Sequence, residues 1–169
     1  ASAGSNHTNK QGNSEVTLAG VLDVRGRKNG EKGGNINVTG DRVALAGTAR
    51  LTASGESGGG AIHLGGEYQG RGSLPNARTT TVEQGAIIDA SSIGYGNGGQ
   101  VIVWSDNGTS YDGHIDVSAS AAGGNGGFIE VSGKDWLRFA GTIDASAPSG
   151  LNGSLLLDPA DITISNAAD

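Results

Sequence analysis

At 169 residues and a net charge of −6, the chain is long enough for one or two ordinary domains. Its 32 glycines, 4% aromatic content and lack of methionine exclude a thick core of large side chains and leave only a thin one of stacked Val, Ile, Leu and Ala. The absence of cysteine excludes disulfides, thiolate nucleophiles and Cys-type zinc sites, and an acidic balance with no basic strip interleaved with aromatics argues against nucleic acid as a partner.

Residues 1–14 are polar and without periodicity, which suggests a frayed lead-in. Strands begin at Val16-Thr17-Leu18 and Val21-Leu22-Asp23-Val24, where apolar and polar residues alternate around Ala19-Gly20. A charged turn, 25–32, then leads into a cassette that recurs along the chain: two glycines followed by an alternating strand. It reads Gly33-Gly34-Asn35-Ile36-Asn37-Val38, Gly59-Gly60-Ala61-Ile62-His63-Leu64, Gly98-Gly99-Gln100-Val101-Ile102-Val103 and Gly126-Gly127-Phe128-Ile129-Glu130-Val131, with a worn copy at Gly153-Ser154-Leu155-Leu156-Leu157. The anchors Ile36, Ile62, Val101, Ile129 and Leu155 lie 26, 39, 28 and 26 residues apart, a unit of roughly 27 residues with one enlarged member.

Each unit carries three short strands. In the first they are Ile36-Asn37-Val38, Val43-Ala44-Leu45 and Leu51-Thr52-Ala53, and in the last Ile129-Glu130-Val131, Leu137-Arg138-Phe139 and Ile143-Asp144-Ala145. Strands this short gain stability by pairing in parallel with their counterparts in the next unit. The pattern therefore predicts an all-β solenoid of about five to six coils over residues 15–165, with 166–169 as a tail. Ile36, Val38, Ile62, Leu64, Val101 and Ile129 are placed inside; Asn37, His63, Ile102 and Glu130 outside. Glycine at the bends is assigned to backbone angles that other residues disfavour. The enlarged unit holds an insertion over residues 65–81, and insertions in a solenoid often mark its binding face.

The charge is uneven. Residues 1–80 hold nine of the eleven Lys and Arg against six acids, and residues 81–169 hold two against eleven acids. In a stacked rod this becomes a gradient along the axis, which serves solubility or an acidic end facing a cationic neighbour.

Candidate chemistry is sparse. Asp89, Asp116 and Asp144 recur in Ile-Asp-Ala/Val-Ser motifs, so stacking sets them in a row. Such a row is a weak calcium candidate and a weaker catalytic pair; the stronger reading is an Asp bonded to its own turn. His7, His63 and His114 have no ligand spacing. No metal site, cofactor or catalytic group is expected. All seven aromatics fall between residues 68 and 139. Phe139 reads as a core plug, whereas Tyr68 sits in the insertion, and Trp104 and Tyr111 bracket the loop 105–110. Exposed loop aromatics stack on sugars or anchor protein partners, though they also serve to shield solenoid corners. With Arg71 and Arg78 of the insertion, Tyr68, Trp104 and Tyr111 form the candidate binding set.

The motifs Asn76-Ala77-Arg78-Thr79-Thr80-Thr81-Val82, Gly98-Gly99-Gln100-Val101-Ile102-Val103-Trp104-Ser105-Asp106 and Leu155-Leu156-Leu157-Asp158-Pro159-Ala160-Asp161-Ile162-Thr163-Ile164 give residues 33–165 the look of the large filamentous-haemagglutinin-type exoproteins of two-partner secretion systems. The resemblance implies a right-handed parallel β-helix, exported by a partner transporter in the outer membrane and displayed or released at the cell surface. It implies an adhesin that binds a host receptor, a glycan or biofilm polysaccharide, without insertion into a membrane and with no catalytic residues to carry over. A module that takes haem from haemopexin, and a passive spacer rod, are the alternatives; a polysaccharide lyase is disfavoured, because Arg and Lys are scarce beside the aspartates. The chain opens Ala-Ser-Ala without Met, which suggests a fragment, and it lacks the Asn-Pro-Asn-Gly-type motif of the family's secretion domain, which suggests a position downstream of that domain.

Overall fold

A computed structural model describes residues 14–160. Residues 1–13 of the expected lead-in 1–14, with His7, and the residues from 161 onward, with the expected tail 166–169, lie outside the described residues.

The described residues wind through five coils of three strands. The first coil holds β1 (Glu15–Leu18), β2 (Val21–Asp23) and β3 (Asn35–Val38); the second β4 (Arg42–Leu45), β5 (Arg50–Thr52) and β6 (Ala61–Leu64). The third holds β7 (Thr79–Val82), β8 (Ile87–Asp89) and β9 (Gln100–Val103), and the fourth β10 (Gly108–Tyr111), β11 (His114–Asp116) and β12 (Phe128–Val131). The last holds β13 (Trp136–Phe139), β14 (Thr142–Asp144) and β15 (Ser154–Leu157). Each strand pairs in parallel with its counterpart one coil away, which builds three five-stranded sheets. This is the right-handed parallel β-helix, and the cassette anchors lie in one register column: Ile36 beside Ile62, Ile62 beside Val101, Val101 beside Ile129, Ile129 beside Leu155.

Alternation places every second side chain inside. Leu45, Leu51, Ile62, Ile88, Ile115 and Ile129 are wholly buried, each contributing about 1.5–3 kcal/mol of apolar transfer. The end coils are less closed, since each has a neighbour on one side only: Leu137, Phe139 and Ile143 remain partly exposed.

The cassette glycines have a different cause from the one read in the sequence. Gly85, with φ 92, occupies the left-handed region, but Gly98 and Gly99 do not. A Cβ added at Gly98 would stand 1.8 Å from the Val117 carbonyl oxygen, and one at Gly99 would stand 2.1 Å from that of Gly60. The pair is needed because three backbones converge at that corner, leaving no room for a side chain.

The insertion is shorter at its end than expected, because Thr79–Thr81 belong to β7. The remaining strap, 65–78, does not project into solvent. It folds back over the outer face of the sheet that contains β6, β9 and β12. As a result Ile102 (1% exposed) and Glu130 (0%), both expected outside, are shut in.

Candidate functional site

The strap starts at Gly65, whose φ of 75 and close approach to the Trp104 carbonyl suit only glycine. A single 3-10 turn, Tyr68–Gly70, then crosses the sheet. Glu67 closes the loop by accepting the Leu74 N–H at 2.8 Å, and this bond, first among its causes, holds the Glu67 carboxyl below the usual range. Asn76 donates from Nδ2 to the Gly70 carbonyl at 3.1 Å and to Asp106 Oδ1 at 3.0 Å. The strap is thereby pinned both to itself and to the loop after β9.

Beneath it lies Trp104. The indole is 6% exposed and donates from Nε1 to Asp106 Oδ1 at 3.0 Å, while a Cβ at Gly70 would stand 2.6 Å from its Cε2. Glycine at 66 and 70 is what lets the strap lie flat on the ring. At the other side Tyr68 packs edge-on against Phe128 at 5.8 Å and 62°, leaving 47% of Tyr68 exposed. Between these contacts the Gln69 N–H points at the Glu130 carboxylate, 3.2 and 3.1 Å from its two oxygens.

The candidate binding set is therefore divided. Tyr68, Arg71 and Arg78 are exposed on the strap. Trp104 and Tyr111 are not: Trp104 is the strap's platform, and Tyr111 is 0% exposed, stacked on Phe139 at 5.5 Å and 10°. Sequence reasoning placed both at the ends of an open loop, but Tyr111 falls on an inward phase of β10, and the intervening Gly108 is covered by the Trp136 ring. The aromatics that do face solvent include Tyr95 (68%) and Trp136 (49%), which no motif singled out. Trp136 opens β13 on an outward phase two residues before Arg138, a signal readable only once the register is known.

The aspartates stand in register, Asp89 beside Asp116 and Asp116 beside Asp144. Each binds its own turn: the N–H groups of Ser91, Ser118 and Ser146 donate to Asp89, Asp116 and Asp144 at 2.9, 2.8 and 2.8 Å. Ser146, through its side chain and its N–H, holds the Asp144 carboxyl below its usual range. Among the described residues no group of three or more His, Asp or Glu is arranged to hold a metal ion. His63 and His114 lie on separate sheets, bonded to Asn37 and Thr142. No helix among the described residues is long and apolar enough to cross a membrane.

No family model matches the sequence, and no curated protein matches it. Among solved structures the chain is similar to the HMW1 secretion domain from Haemophilus influenzae, with 33% identity and a TM-score of 0.68; the likeness covers 85% of this chain and 36% of that one. This chain thus spans about a third of the length of the structure it matches. The likeness supports the two-partner secretion exoproteins as the wider family, without singling out the filamentous-haemagglutinin type.

Proposed function

We propose that this chain is a non-catalytic β-helical section of a secreted bacterial exoprotein, carried across the outer membrane by the transporter of a two-partner system. The observation that carries the reading is the likeness to the HMW1 secretion domain, in sequence and in coil geometry together. That likeness also favours a place within a secretion-domain-type helix over one downstream of it. The full exoprotein containing this section is expected in the medium or on the cell surface only when its transporter is co-expressed. Equal release from cells without the transporter would overturn the proposal.

After export the role is adhesive, toward a host receptor, a glycan or exopolysaccharide, with recognition centred on the strap. Tyr68, Arg71 and Arg78 are the exposed groups of the original set, and they share one segment. Tyr68→Ala combined with Arg71→Ala should lower binding of the displayed exoprotein to receptor and glycan arrays at least tenfold, about 1.4 kcal/mol, while the far-UV β signal stays unchanged. A passive spacer rod is the second reading, and the burial of Trp104 and Tyr111 favours it, because it removes two of the five recognition candidates. Unchanged array binding in that double variant would select the spacer.

A further inference from the structure

The strap encloses a carboxylate that has no counter-ion among the described residues. Glu130 is 0% exposed, its register neighbours are Ile102 on β9 and Leu156 on β15, and it takes part in no ion pair among the described residues. Its hydrogen-bond donor is the strap itself, through the Gln69 N–H. Gln69 has φ 53, a left-handed conformation uncommon for a side chain larger than glycine's, so what the turn packs on must hold it there. Ser132 Oγ, two residues along on the same face, is buried without a hydrogen-bond partner among the described residues. A charge here is disfavoured, and a neutral carboxyl has a proton to donate.

We propose that residues 65–78 form a proton-controlled cover: with Glu130 neutral the strap closes over β9 and β12, and with Glu130 ionised it lifts and bares Ile102, Trp104 and Phe128 as an apolar surface. This goes beyond the exoprotein reading and does not depend on it.

Burial raises the Glu130 pKa, the Gln69 N–H opposes it more weakly, and the Asp158 carboxylate adds a little to the rise. The other charged or titratable groups around the strap are accounted for. Glu67 is bonded to Leu74, Asp106 to Trp104 and Asn76, and His63 on β6 to Asn37, while Tyr68, Arg71 and Arg78 are exposed. The group with the raised value is in the closed state, so closure is fully favoured below the ordinary glutamate value near 4.5 and weakens as pH climbs toward the raised value. Above that value the effect levels off. Within the window the open fraction grows by at most about tenfold per pH unit, the slope of one proton.

The test uses Trp136→Phe, which leaves Trp104 as the chain's only tryptophan. Acrylamide quenching of Trp104 is recorded from about pH 4 to about pH 8, a range chosen to bracket the glutamate and histidine titrations. Quenching should rise with pH in a one-proton step while the far-UV β signal stays constant. Adding Glu130→Gln should abolish the step and keep Trp104 protected throughout; adding His63→Gln should preserve it. A flat profile in the parent, a step that survives Glu130→Gln or vanishes with His63→Gln, or a step that tracks loss of the β signal would each overturn the proposal.

Discussion

Tyr111 offers a direct measurement of what a misplaced polar atom costs this core. The ring is fully buried and stacked on Phe139, and its hydroxyl has no hydrogen-bond partner among the described residues. Burial pushes the phenol's pKa far above its ordinary value, as expected for a group cut off from solvent. Tyr111→Phe deletes that hydroxyl and keeps the ring. An unsatisfied buried donor costs about 1–3 kcal/mol, and the small void left behind returns part of this, so the net expectation is a stabilisation of about 1 kcal/mol. For a chain of this size that raises Tm by roughly 2–4 °C and moves the urea midpoint up by roughly 0.5 M. The measurement is equilibrium urea unfolding followed by far-UV circular dichroism, with Tyr111→Ala beside it. The alanine variant loses the stacked ring and should fall by about 3–5 kcal/mol. A Tyr111→Phe variant destabilised by more than about 1 kcal/mol would refute the reasoning, since only a satisfied hydroxyl is worth that much.

Two further outcomes follow from named contacts. Gly98→Ala forces a Cβ to 1.8 Å from the Val117 carbonyl oxygen and should lose about 3 kcal/mol or more, whereas Gly20→Ala, with nothing within 4 Å, should stay within about 0.5 kcal/mol; both are read as urea midpoints. Asp116→Ala removes the acceptor of the Ser118 N–H and should cost about 0.5–1.5 kcal/mol, with the parent's Tm the same in calcium and in chelator; a calcium-dependent rise would restore the metal reading.

The solenoid was legible because its signal is a period, and a period survives ignorance of tertiary contacts. Ile36, Ile62, Val101 and Ile129 occupy one column because the cassette repeats, and the register follows from the glycine pair. What failed was the reading of single positions that depend on the strap. Alternation alone puts Ile102 and Glu130 outside, and nothing local indicates that residues 65–78 return to cover them. Trp104 misled for the same reason, since its cover comes from Gly66 and Gly70, more than thirty positions earlier in the chain. Glycine was misattributed at the cassettes because steric convergence of three coils and a left-handed φ leave the same letter in a sequence. The turn bonds of the aspartate row were legible, because Asp followed two residues later by Ser is itself a local turn signal.

The strap leaves the second coil after β6 and re-enters the third at β7, yet it holds Phe128 and Glu130 on the fourth. Among the described residues strand pairing joins each coil only to the next, whereas the strap ties second neighbours together. A tension applied between the two ends runs parallel to the inter-strand hydrogen bonds, so the coils would peel away one after another at low force. At the tie that sequence is interrupted: coils two to four must yield together. Pulled on a single molecule, the chain should show small, regular extensions from its ends and one larger, later rupture from its middle, and cutting the strap should turn that last event into more of the first.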